Sequence, residues 1–246
     1  MQIQKFRTVD QLPALHHEEQ QLLIISDLHL GLEGLMTSDG NYIPKNQLDR
    51  LKDDLEKARE QTGAEKLVIN GDLKNEFKTS RYSETREITE FLKHAKKLFE
   101  QVKPVKGNHD TFIETTVQKQ GLNLPEYRVI GKMLYTHGHK KIEELDVEKS
   151  YDTVVIGHEH PALALKDEIG VKEKIPCLLH GETSEGKNII VLPAFSTFSN
   201  GTNINETPQK ELLSPILRNQ VDKNKLKAVA VSREAGLFKF PEIGKI

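Results

Sequence analysis

The chain has 246 residues, with 35 Lys plus Arg against 37 Asp plus Glu, for a formal net charge of −2. Charged residues at 29% and hydrophobic ones at 36% describe a globular chain long enough to build its own core, not a disordered one. The near balance of charge argues against a protein that coats nucleic acid by bulk electrostatics, and 6% aromatics with no Trp argue against extended base-stacking platforms.

The longest apolar runs, such as 22–25 and 153–156, fall far short of the roughly 20 residues that a bilayer requires. Residues 1–21 are polar and hold no apolar signal core, and the lone Cys177 cannot form an intramolecular disulfide. The expectation is a cytoplasmic protein in a reduced setting, with no membrane partner. No repeat, linker or low-complexity tract interrupts the chain, so 1–246 reads as a single domain.

In chain order, residues 22–26 read as a buried strand, short and apolar up to a polar stop. Residues 44–62 read as a helix, with Leu48, Leu51, Leu55 and Ala58 on one face, Pro44 in the first turn and Gly63 as the stop. A strand at 67–70 follows, then a helix over 83–101 whose stripe is Ile88, Phe91, Leu92, Ala95, Leu98 and Phe99. Strands are expected at 102–106, 133–136 and 154–156, and helices at 111–120 and 141–149. Beyond residue 175 the pattern is richer in strands, at 177–179, 188–192, 227–231 and 237–240. Segment 198–224 is irregular. It reads either as an excursion lining a site or an oligomer contact, or as a surface loop with one packed turn. Helix alternating with strand, then a strand-rich half, indicates a layered α/β fold with two sheets.

Six of the ten histidines sit in short clusters that contain Gly or Asp. Five times an apolar run ends and polar donors follow at once: Asp27-Leu28-His29, Gly71-Asp72, Gly107-Asn108-His109-Asp110, His137-Gly138-His139 and Gly157-His158-Glu159-His160-Pro161. Taken singly, Asp-x-His or Gly-Asp is an ordinary turn. Donors placed just past five strand ends meet at one sheet edge, where α/β proteins collect ligands. The donor set is imidazole, carboxylate and amide oxygen with no thiolate, which suits Mn, Fe, Ni or Zn. Seven ligands exceed what one tetrahedral ion uses and fit two ions sharing a bridging carboxylate and a bridging water.

These five motifs resemble those of the calcineurin-like metallophosphoesterases, over Asp27 to Pro161, a little over half the chain. Gly157–Pro161 and the run 71–76 look most like a small archaeal and bacterial branch related to the double-strand-break-repair nucleases. The resemblance implies a four-layer α-β-β-α sandwich of two mixed sheets. It implies that Asp27, His29 and His160 hold one metal, that Asn108, His137 and His158 hold the other, and that Asp72 bridges them. Manganese is the expected metal, with Fe, Ni or Zn as alternatives. His109 is then the general acid that protonates the leaving oxygen while a hydroxide shared by the metals attacks phosphorus. Asp110 is a catalytic candidate that orients His109, or else a turn cap. His139 is a substrate contact, a support for the ligands, or a ligand in place of His137. Asn75 and Arg81 are candidate substrate contacts; many relatives carry Asp or His where Asn75 stands.

The implied activity is hydrolysis of a phosphodiester, either nucleic acid or nucleotide, and a homodimer is one assembly open to the chain. A phosphomonoesterase is the alternative. It is disfavoured because no Arg follows the third motif, where the eukaryotic-type protein phosphatases carry arginines. A non-catalytic scaffold is disfavoured because His109 and all seven ligands are present.

Overall fold

The structure is a computed structural model that describes residues 1–34, 46–77, 82–166, 170, 172–199 and 201–246. One sheet runs in chain order through β1 (Gln2–Ile3), β2 (Phe6–Thr8), β3 (Leu15–His17), β4 (Leu22–Ile25), β5 (Lys66–Asn70) and β6 (Gln101–Val105). The other contains β7 (Tyr127–Ile130), β8 (Met133–Thr136), β9 (Thr153–Ile156), β10 (Pro161–Lys166), β11 (Lys172–Glu182), β12 (Asn188–Val191) and β13 (Thr202–Asn203). Its order is β13-β10-β11-β12-β9-β8-β7, and β14 (Lys227–Ser232) and β15 (Gly236–Glu242) extend it from β11. Both sheets are mixed: β4, β5 and β6 run parallel, as do β8, β9 and β12, while the remaining strands are largely antiparallel.

Period-two alternation sorts the side chains into layers. Leu22, Ile24, Val68, Val105, Met133, Tyr135, Val155, Leu178 and Ile190 point between the sheets and form a common core. Their neighbours Leu23, Ile25, Leu67 and Ile69 point outward, beneath helices α1 (Gln47–Thr62), α2 (Tyr82–Leu98) and α3 (Glu114–Lys119). On the far side Leu134, Val154, Ile156, Cys177 and Leu179 lie beneath Ile204, Leu212, Ile216, Leu217 and Leu226. That outer cover holds one short helix, α4 (Pro215–Asn219), and 3-10 turns. The architecture is the expected four-layer sandwich, with one thick helical layer and one thin one. Each fully buried Leu, Ile or Phe in it contributes roughly 1.5–3 kcal/mol relative to exposure.

Several expected elements shift. Gly63 does end α1, with a left-handed φ of 66°; Pro44 lies outside the described residues. Helix α2 stops at Leu98, because Glu100 N–H bonds the Glu65 carbonyl (2.8 Å) and draws the chain into β6. The helix expected over 141–149 is only a 3-10 turn, Ile142–Leu145, which a left-handed Asp146 (φ 48°) terminates. Phe112, also left-handed (φ 65°), delays the start of α3. Strands β1 to β3 lie in the polar stretch that gave no strand pattern; His16 and His17 are buried there. Segment 198–224 packs over the second sheet through Leu212, Ile216 and Leu217, and Ser199 reaches the site. Among the described residues no helix is long and apolar enough to cross a membrane.

Candidate metal centre

The C-terminal ends of β4, β5 and β6 in one sheet and of β8 and β9 in the other meet at the same rim of the sandwich. Asn70, the last residue of β5, ties the two together: its buried side-chain amide donates to the carbonyls of Thr136 (2.9 Å) and Val155 (3.1 Å) across the gap. Beyond the strands the β4 and β5 loops stay paired. Leu28 and His29 N–H both bond the Asp72 carbonyl, at 2.9 and 3.0 Å.

The rim backbone is strained. Ten described non-glycine residues have a positive φ, and five are expected ligands: Asp27 (58°), His29 (46°), Asp72 (46°), His158 (64°) and His160 (44°). Left-handed backbone costs an L-residue about 1–2 kcal/mol, so such clustering marks a place where geometry serves something besides stability. Two glycines provide clearance. A Cβ on Gly71 would stand 2.1 Å from His137 Nδ1, and one on Gly107 2.0 Å from Asp72 Oδ1.

The side chains converge in three groups whose ligand atoms lie within 4.8 Å of one another: Asp27, His29 and His160; Asp72, His137 and His158; and His29, Asp72 and His109. In the first, Asp27 Oδ1 is 2.9 Å from His160 Nε2, and the Nε2 atoms of His29 and His160 are 3.3 Å apart. In the second, His137 Nε2 is 3.1 Å from Asp72 Oδ2 and 3.0 Å from Asn108 Oδ1, which adds Asn108 to the group. Asp27, Asp72 and His137 are at most 1% exposed.

The outer nitrogen of three imidazoles is engaged, which aims the inner one. His137 Nδ1 faces the Asn70 carbonyl (3.2 Å), His160 Nδ1 the Ser199 hydroxyl (2.7 Å), and His109 Nδ1 the Asn75 carbonyl. In each case Nε2 is left toward a carboxylate of the cluster: Asp72 for His137 and His109, Asp27 for His160. For His137 and His160 such outer hydrogen bonds select the tautomer that offers Nε2 to a cation. Ser26 Oγ donates to Asp27 Oδ2, and His158 N–H donates to the same carboxylate at 3.3 Å.

The electrostatics suit a cation. Burial pushes the Asp27 carboxyl up, but His160 and His137 outweigh it and hold it at about 2. Asp72 is likewise buried, yet His137 and His109 hold it well below the usual carboxylate range. Burial, helped by neighbouring imidazoles, lowers His29 to about 4, His158 to about 3 and His139 to about 4, so these rings are neutral and have lone pairs to give. His137 is the exception. Burial lowers it, but Asp72 and Asp27 raise it to about 9, so without metal it keeps a proton that a cation must displace. Two nitrogens 3.3 Å apart beside ionised Asp27, and the buried unpartnered His29 Nδ1, fit a set of donors arranged for divalent cations.

The structure thus brings together Asp27, His29, Asp72, Asn108, His109, His137, His158 and His160. His139 adjoins them, its ring centroid 5.4 Å from that of His137. Asp110 lies beneath them, 1% exposed. Its carboxylate accepts from Leu73 N–H (2.8 Å), Lys74 N–H (3.2 Å) and Gly107 N–H (2.8 Å), so it clamps the second and third loops and faces away from the opening. Burial and the Asp72 charge raise it to about 7. Asn75 takes part through its carbonyl. Arg81 lies outside the described residues. Asn70, Ser199 and Gln47 escaped the sequence reading. The Gln47 amide bonds the Leu28 and His29 carbonyls and Ser196 Oγ. Only Asn70 carried a signal, a polar side chain closing an apolar strand. His94 pairs with Glu56 at 3.1 Å, away from the cluster.

Residues 21–132 match the family model described as calcineurin-like phosphoesterase. The fold is shared with the crystal structure of the nuclease MPE of Pseudomonas putida, at a TM-score of 0.60 and 17% identity over 93% of this chain and 92% of that one. The phosphoesterase YfcE of E. coli superposes at a TM-score of 0.46 and 18% identity, over 90% of this chain and 98% of that one. No curated protein matches the sequence.

Proposed function

We propose that the chain, whose residues 21–132 match the calcineurin-like phosphoesterase model, is a metal-dependent hydrolase that cleaves phosphodiesters with two divalent cations, manganese first among them. The reading rests above all on one observation: the Asp72 carboxylate groups with His137 and His158 on one side and, on the other, with His29, which in turn groups with Asp27 and His160. Asp27, His29 and His160 would hold one cation and Asn108, His137 and His158 the other, with Asp72 as the residue that would serve both. When bound, such a pair neutralises phosphate oxygens and supplies an activated water for in-line attack.

The chain's own residues do the remaining work. His109 gives the proton to the leaving oxygen from Nε2, since Nδ1 is held by the Asn75 carbonyl. Its backbone N–H bonds Asp72 Oδ1 at 2.9 Å, which fixes its loop against the shared ligand. Asp110 is a positioning residue that keeps the second and third loops in register. His139 borders the second group and contacts substrate. A diester fits better than a monoester. The third motif is followed by Thr111 and Phe112, which bring no positive charge for a monoester's additional oxygen. The chain is read as a single domain over 1–246.

The test is a manganese-supplemented panel of bis-p-nitrophenyl phosphate, p-nitrophenyl phosphate, cyclic nucleotides and single- and double-stranded DNA. Faster turnover of diester than of monoester is expected. Preference for p-nitrophenyl phosphate overturns the reading in favour of a phosphomonoesterase.

A further inference from the structure

Six large hydrophobic side chains are exposed among the described residues: Phe77, Tyr82, Phe112, Leu213, Phe238 and Ile246. Scattered exposed hydrophobics need no explanation. Phe77 and Phe112 are different: the Phe77 ring packs on His109, and Phe112 follows His109 by three residues on the same loop. The Phe77 ring lies over the His109 imidazole, with centroids 3.4 Å apart and a tilt of 35°, yet Phe77 remains 49% exposed. Thr111 Oγ1 donates to the Phe77 carbonyl (2.5 Å), which joins the loop after β5 to the loop after β6. Phe112 follows at once, 74% exposed on a left-handed backbone with φ 65°.

Phe112 is the telling residue. A bulky side chain at positive φ is an outlier, and its exposed ring gains nothing from the core. Folding alone therefore does not account for a phenyl group held out to solvent there. A glycine or asparagine would serve the turn better.

We propose that Phe77 and Phe112 form an aromatic shelf that stacks the nucleobase of the leaving nucleoside in a single-stranded nucleic acid; this rests on the phosphodiesterase reading and names its substrate more closely. The shelf adjoins the group that protonates the leaving oxygen, so whatever lies on it belongs to the leaving side of the ester. It is open to solvent, which suits a base carried on a strand. Bases within a duplex already stack on both faces and have none to offer, so a single strand or a frayed end is the form that fits. Two rings seat one or two bases, so the shelf is local; the low aromatic content had argued only against an extended platform.

The test measures binding, so that it does not depend on turnover. Fluorescence anisotropy compares a labelled, hydrolysis-resistant phosphorothioate oligothymidylate with an abasic phosphorothioate of equal length, on the full chain in manganese. The base-bearing strand should bind about tenfold more tightly. Phe112→Asn, which keeps the left-handed turn and removes the ring, should collapse that ratio toward one, and Phe112→Tyr should restore it. Equal affinity of the unmodified chain for both strands overturns the shelf. So does a ratio that survives in both Phe112→Asn and Phe77→Leu, or a Phe112→Asn variant that changes the oligomeric state and leaves the ratio alone. Failure of the phosphodiesterase reading shows elsewhere, as no turnover of bis-p-nitrophenyl phosphate, while the affinity ratio still decides the shelf.

Discussion

Between the sheets, Leu22, Ile24, Val68 and Val155 are fully buried among apolar neighbours on regularly paired strands. Just beyond the ends of β4, β5 and β8, Asp27, Asp72 and His137 are as deeply buried, but they are polar, and Asp27, Asp72 and, after β9, His158 sit on left-handed backbone. Equal burial therefore has opposite consequences in the two regions. In the interior, removal from water is itself the stabilising force. At the rim it is a cost, tolerated because carboxylates and imidazoles offset one another and because a cation can complete the set.

Variants that break this contrast at the rim should show the largest effects. Asp72→Asn should lower diester hydrolysis on the order of a thousandfold, and the bound manganese measured by atomic absorption should fall below two ions per chain. A variant that keeps both ions would dismiss Asp72 as the shared ligand. His109→Ala should cost about a hundredfold or more on diesters with alkyl leaving groups, and much less with p-nitrophenolate, with metal content retained. Loss of metal in that variant would make His109 a ligand and not an acid.

Smaller effects sharpen the comparison. Ser199→Ala frees the outer nitrogen of His160 and should weaken manganese binding about tenfold, read by titration calorimetry. Asn70→Ala leaves two buried carbonyls without the amide that joins the sheets. It should cost about 2 kcal/mol in urea unfolding, whereas an unchanged midpoint would mean that the sheets hold the rim without it.

The metal-free chain should also respond to pH. His137 is held at about 9, above its ordinary 6.5, by Asp72 and Asp27 against the effect of burial. Its pairing contributes fully below pH 6.5 and is lost as pH rises through about 9. Asp110, raised to about 7, adds its own change up to about pH 8, so the comparison with Asp72→Asn is what separates the His137 contribution. Urea midpoints in chelator should fall across that window, and less so in Asp72→Asn. Smallest of all, Phe112→Gly should stabilise the chain by roughly 0.5–1 kcal/mol by relieving the left-handed strain. A loss of stability would mean that the exposed ring supports the fold after all.

Legibility followed the same division. Strands β4, β5, β6, β8 and β9 were apparent within about a residue because each is a short, mostly apolar run closed by Gly or a polar residue. The candidate donors were apparent because they follow those closures. Strands β1 to β3 were not, since two- and three-residue strands with His16 and His17 buried in them show no alternation. The helix expected over 141–149 failed for a local reason, a left-handed Asp146 that helical periodicity does not reveal.

Residue types and spacing by themselves determined which strands form and which donors stand at their ends, because strand period and ligand chemistry are properties of short segments. Only the tertiary structure decided that donors from two different sheets face one opening, that Asn70, Ser199 and the Asn75 carbonyl aim the imidazoles, and that Asp110 turns inward. Those outcomes depend on contacts between segments far apart in the chain, and on the left-handed backbone that those contacts hold in place.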